Sequence, residues 1–148
     1  LSGDMYGGDV VKDQEGSVLA AFATSYGRGD VLQAEALALD TGLKVCKQRQ
    51  ITLKMVETDS MILYKALLGQ GSFPWNIVYT VRRCKMLMGN QMEISHTWRE
   101  GNMMADFLAS MAPANRSMVS FFNLGSFSIE GMKFVTNDAM GLHYFRPL

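Results

Sequence analysis

Three acids stand where a metal site would need them. Glu35 lies in the first turns of a helical segment, and Asp59 ends an apolar, strand-like run. Asp106 follows Asn102 by one helical turn, so those two share a face. The end of a strand is where open α/β sheets place their ligands. A set of carboxylates suits Mg²⁺ or Mn²⁺, which prefer oxygen ligands to sulfur or imidazole. Each acid also has an ordinary structural use. A Glu early in a helix interacts favourably with the helix dipole. An Asp beside Ser60 helps to cap the next helix, and an Asp in an apolar helix marks its wet side.

Other reactive residue types read more plainly. His96 alternates with Ile94 and Trp98, the pattern of a strand residue with a structural hydrogen bond. His143 reads as structural. Trp75 follows Pro74 at a helix start and is expected to staple it to the core; Trp98 belongs to the strand pattern. The twelve methionines read as adaptable core filler. Cys46 and Cys84 are too few for a disulfide framework or a Cys-rich zinc site, and read as buried thiols of a reducing compartment.

These groups need a scaffold. Val10, Val11 and then Val18 to Phe22 flank the turn signal Asp13-Gln14-Glu15-Gly16, which predicts a hairpin. Gly7-Gly8 permits a loop or bulge before it, and Gly27-Arg28-Gly29-Asp30 closes it. Leu32, Ala36, Leu39, Leu43 and Cys46 recur at 4-3-4-3 spacing, which predicts a helix from Val31 to about Gln48. A strand follows over 51–58, then a short helix capped by Ser60 and ending near Leu68. Pro74 opens a second helix through about Met88. Residues 92–98 alternate as a strand, and a last helix runs from about Asn102 to Ala112, stopped at Pro113. The segment 115–148 is less regular. The order predicts an α/β fold with a mixed sheet flanked by helices.

The chain has 148 residues, 48% of them hydrophobic and 19% charged, which suits one domain with a real core. No apolar run approaches the roughly 20 residues that a membrane-spanning helix needs. No export signal is visible, so the expectation is a cytoplasmic or nuclear protein without a membrane partner. Fourteen basic and fourteen acidic residues cancel, but unevenly. Residues 1–40 carry seven acids against Lys12 and Arg28, a net of −5, whereas residues 41–85 carry eight bases against Glu57 and Asp59, a net of +6. A basic middle beside scattered carboxylates is compatible with a phosphate-binding surface near a metal site. Solvated helix faces explain the same charges.

Local sequence adds a resemblance. Gln33-Ala34-Glu35-Ala36-Leu37-Ala38-Leu39, Val56-Glu57-Thr58-Asp59-Ser60 and the stretch from His96-Thr97-Trp98-Arg99 through Asn102 to Asp106-Phe107-Leu108-Ala109 occur in that order. Together they resemble the ribonuclease H-like superfamily, specifically its plant, retrotransposon-associated branch. The run from Gly7 to Gly16 resembles that family's glycine-rich second strand and turn. Asp138-Ala139-Met140-Gly141, followed by Arg146, resembles its usual tail.

The resemblance implies an endonuclease that cuts the RNA strand of RNA–DNA hybrids with two divalent ions, Mg²⁺ or Mn²⁺, held by four carboxylates. Glu35, Asp59 and Asp106 match three of the four as catalytic metal ligands. Ser60, Arg99 and Asn102 are the implied substrate contacts. The ribonuclease H-like domain is expected over 1–114, with 115–148 as its C-terminal tail. The fourth acid belongs on a first strand ahead of the hairpin, central in the sheet between the hairpin and the strand ending at Asp59. Only Leu1 to Tyr6 precede Gly7, and neither Asp4 nor Asp9 matches that position. Beginning at Leu1, the chain reads as trimmed or a fragment. The expectation is a domain lacking its first strand, impaired in catalysis, with two inner strand edges exposed. The alternative is a non-catalytic nucleic-acid-binding or protein-interaction module of the same fold.

Overall fold

The computed structural model describes residues 3–12, 15, 18–97, 118–122 and 142–147. Strand β1 (Gly3–Lys12) pairs antiparallel with β2 (Val18–Gly29), making a hairpin longer than the apolar pattern alone predicts. Gly7 and Gly8 lie inside β1 rather than in a loop, and the bulge falls between Met5 and Tyr6. Gly7 is needed for close approach. A Cβ there would stand 2.8 Å from the Ala38 Cβ and 2.7 Å from the Tyr26 ring, so β1 and α1 could not pack as they do.

Helix α1 (Val31–Gln48) starts where the sequence places it. Asp30 Oδ1 accepts the Gln33 N–H at 2.8 Å, and Gln33 Oε1 accepts the Asp30 N–H at 3.1 Å, a reciprocal cap. Ala34, Ala36 and Ala38 keep the helix slim and are buried in it. Gln50 adopts φ 58°, a left-handed turn that reverses the chain before β3 (Leu53–Thr58). Helix α2 (Met61–Leu67) follows. The second expected helix is split: a 3₁₀ turn (Trp75–Ile77) leads into α3 (Val78–Met88), because Ile77 sits at φ −108°, ψ −4°, outside both helical geometries. Strand β4 (Glu93–His96) pairs parallel with β3. The expected helix Asn102–Ala112 lies outside the described residues.

The core is continuous between the sheet and these helices. Leu39, Leu63, Ile77, Val56 and Val81 are among its most fully buried side chains, packed with Val11, Leu43 and Cys84. Burial of each large aliphatic chain contributes about 1.5–3 kcal/mol. Both cysteines are free and buried.

The segment 115–148 supplies two strands that its local sequence does not announce. Strand β5 (Met118–Phe122) pairs antiparallel with β2 at one edge. Strand β6 (Leu142–Pro147) enters the middle of the sheet, which runs β4-β3-β6-β1-β2-β5. It lies parallel to β1 and antiparallel to β3. The expectation of two bare inner edges is therefore corrected. No strand precedes the hairpin among the described residues, but β6 takes up the ladder hydrogen bonds of both neighbours.

Candidate functional site

Glu35 and Asp59 are carried by different elements. Glu35 is carried on α1 and is 7% exposed, beside the Ala34–Ala38 stretch that packs on β1. Asp59 leaves the carboxyl end of β3 and is half-buried. The turn around it is held by short polar bonds. Thr58 Oγ1 accepts the Ser60 N–H at 3.2 Å, and Ser60 Oγ accepts the Leu63 N–H at 3.3 Å, capping α2. The Thr58 carbonyl accepts the Thr97 N–H at 2.9 Å, which ties the turn to the residue after β4.

His96 completes the turn. Its Nε2 lies 3.2 Å from the Asp59 carbonyl, and because a carbonyl only accepts, Nε2 carries the hydrogen. The ring also meets Tyr64 with centroids 5.9 Å apart. His96 is thus the strand histidine with a structural bond that its alternation predicts. Ser60 is a helix cap whatever else it touches.

One register row crosses the whole sheet at this level. Ser120, Phe22, Asp9, His143, Thr58 and His96 stand side by side on β5, β2, β1, β6, β3 and β4. The residue next to Thr58 in the central position is therefore His143. The acid of the row is Asp9, one strand further on and 1% exposed. No register shift separates Gly7, Asp9 and Val11, so all three face α1. The charge of Asp9 is felt at Tyr26, Cys46 and Cys84, in each case after burial, which is the larger effect. Burial, with Asp9 at Cys46 and with Asp40 ahead of Asp9 at Cys84, pushes both thiols up to about 12, and burial lifts the phenol well above its usual range. The sequence signal for this buried acid is its even spacing from Gly7 and Val11.

Among the described residues, no group of three or more His, Cys, Asp or Glu side chains could hold a metal ion. Glu35 and Asp59 are two oxygen donors of the kind that Mg²⁺ takes, short of a three-group cluster among the described residues. Asp106, Asn102 and Arg99 lie outside the described residues. Trp75 departs from expectation: it is 87% exposed rather than stapled to the core, because the 3₁₀ turn directs Ile77 inward instead.

A second acid on α1 is not apparent from the motifs. Asp40, 3% exposed, receives Arg83 Nε and Nη2 on its two oxygens at 2.6 Å each and Lys44 Nζ at 2.8 Å. Burial pushes its carboxyl up, but the two cations more than offset this and hold it below its ordinary value. The Arg83 guanidinium in turn lies over the Tyr79 ring at 5.3 Å.

A mixed sheet with a long hairpin, α1 packed across it and an acid at the end of β3 is an arrangement shared with ribonuclease H structures. Known structures agree. Ribonuclease H1 from the halophilic archaeon Halobacterium salinarum matches with a TM-score of 0.63 at 22% identity, covering 72% of this chain and 94% of that one. The N-terminal ribonuclease H domain of Rv2228c from Mycobacterium tuberculosis, solved as a fusion with maltose-binding protein, matches at 0.53 and 20% identity, covering 74% and 97%. No curated protein matches the sequence. The reverse transcriptase-like family matches residues 3–112, and the chain belongs to it. Its place is within the ribonuclease H-like superfamily.

Proposed function

We propose that this chain is a nucleic-acid-binding domain of the ribonuclease H type whose cleavage of RNA–DNA hybrids is impaired. The family and the fold support hybrid binding, and exposed cations of the basic middle outside the α3 row, Lys54 and Lys65, suit phosphates. One observation carries the impairment. The strand beside β3 in the centre of the sheet is Leu142–Pro147, which contains His143 and Arg146 but neither Asp nor Glu. Without an acid there, the set that the resemblance assigns stays at Glu35, Asp59 and Asp106, with Ser60, Arg99 and Asn102 as contacts to the nucleic acid and Mg²⁺ or Mn²⁺ as the ions. The plant retrotransposon branch, a single domain spanning 1–114 and its 115–148 tail, and a cytoplasmic or nuclear setting belong to this proposal.

A labelled RNA–DNA hybrid tests it. The full chain is expected to bind the hybrid with an affinity that falls steeply as salt rises, and to cut it slowly or not at all with Mg²⁺ present. Rapid cutting that Glu35→Gln and Asp59→Asn each abolish would make this an active nuclease. Absence of hybrid affinity at low salt would leave a protein-interaction module.

A further inference from the structure

Trp75, Tyr79, Arg82 and Met86 follow one another at 4-3-4 spacing along the 3₁₀ turn and α3, and all four are exposed. The three large apolar members are 87%, 73% and 83% exposed. Single exposed apolar residues are ordinary, but an aligned row of Trp, Tyr, Arg and Met has the composition of a protein interface. Tyr79 is also braced from beneath. Arg83 lies under its ring and is itself gripped by the buried Asp40, so the exposed tyrosine is ordered by the core. An aromatic held in place before binding loses little freedom on docking.

The row ends in an apolar depression. Met86, Met88 and Met92 are shared by two adjoining clefts of about 420 and 290 Å³. Leu43, Ile51 and Leu53 line the larger, and Lys47 and Lys85 contribute the cations. Charge along this stretch of the chain has one sign. From Ser60 to Met92 the chain contains no Asp or Glu but four bases, Lys65, Arg82, Arg83 and Lys85. Arg83 is committed to Asp40; Lys65, Arg82 and Lys85 are exposed.

We propose that this face of α3 docks an acidic amphipathic helix of a partner protein. The helix would place an aliphatic side chain in the methionine-lined cleft, lay its apolar face along Trp75 and Tyr79, and set its carboxylates against Arg82 and Lys85. A nucleic acid satisfies the charge and the aromatics, but it has no aliphatic side chain for the cleft. The surface therefore favours protein, independently of whether the domain binds or cuts hybrids.

The test uses the full chain with methyl-labelled methionine and a synthetic helical peptide bearing leucine along one face and glutamate along the other. Titration is expected to shift the Met86, Met88 and Met92 methyl signals selectively. Trp75→Ala and Met86→Ala are each expected to weaken binding about tenfold or more, and Arg83→Ala to weaken it through Tyr79. Both exposed residues can be truncated without opening the core. Shifts confined to other methionines, or affinity unchanged in both alanine variants, overturn the proposal. So does a single-stranded oligonucleotide that causes the same shifts and displaces the peptide, which would assign the face to nucleic acid.

Discussion

The carboxyl end of β3 and the contact between α1 and α3 both hold acids, and they hold them in opposite ways. Asp40 is buried, and its two oxygens are met by three nitrogen–oxygen contacts from Arg83 and Lys44. Asp59 is half-buried, and the bonds that define its turn run through its own carbonyl and through Thr58 and Ser60. In the first case the charge is neutralised by Lys44 on the same helix and by Arg83, which cross-links two helices. In the second the backbone of the turn is fixed by short polar bonds at the carboxyl end of β3. The buried charge of Asp40 is matched closely by cations, whereas the turn that carries Asp59 is positioned by its main chain.

Removing the matched acid should have the largest effect. Asp40→Ala leaves Arg83 partly buried without its carboxylate and is expected to cost about 2–3 kcal/mol, measured by urea unfolding. Acid should do the same reversibly. The folded carboxyl is held below its ordinary value of 3.8, so the folded state binds protons less readily than the unfolded one. The contribution is complete above that ordinary value and is lost as pH falls through the depressed one. A midpoint for the parent that falls in acid, with a flatter profile for Asp40→Asn, is the expected pair of curves. Equal slopes would break the comparison.

Gly7→Val comes next, at about 2 kcal/mol, because the new side chain meets Ala38 and the Tyr26 ring. Ser60→Ala should cost about 1 kcal/mol through loss of the α2 cap. Asp59→Asn keeps the backbone bonds of its turn and is expected to shift stability by less than about 0.5 kcal/mol in the same assay. A loss there as large as that of Asp40 would show that both acids are structural. The smallest effect is chemical: with both thiols pushed up to about 12 and buried, Cys46 and Cys84 should resist alkylation in the folded protein and react once urea unfolds it.

Much of this was legible in order along the chain. Helix α1, the Ser60 cap, β3 and β4 follow from local periodicity and capping chemistry, which act over a few residues. The acids Glu35 and Asp59 were found the same way, by their place at element ends. Asp40 escaped because its decisive partner, Arg83, lies 43 residues away; only the Lys44 pair at four residues was visible locally. Trp75 departs from its local pattern because the same Pro74 suits a helix that buries its first large residue and a 3₁₀ turn that exposes it.

Composition and periodicity were enough to determine an α/β fold with acids at named element ends, and the resemblance of the ordered motifs to a known family added the ribonuclease H type. They act through short-range propensity and through burial that any one element can express alone. Tertiary structure alone decided what stands in the centre of the sheet. Nothing in Leu142–Pro147 as a peptide chooses between an edge and a slot between β1 and β3. That choice is made by two rows of backbone donors and acceptors, distant in sequence, that must both be satisfied at once.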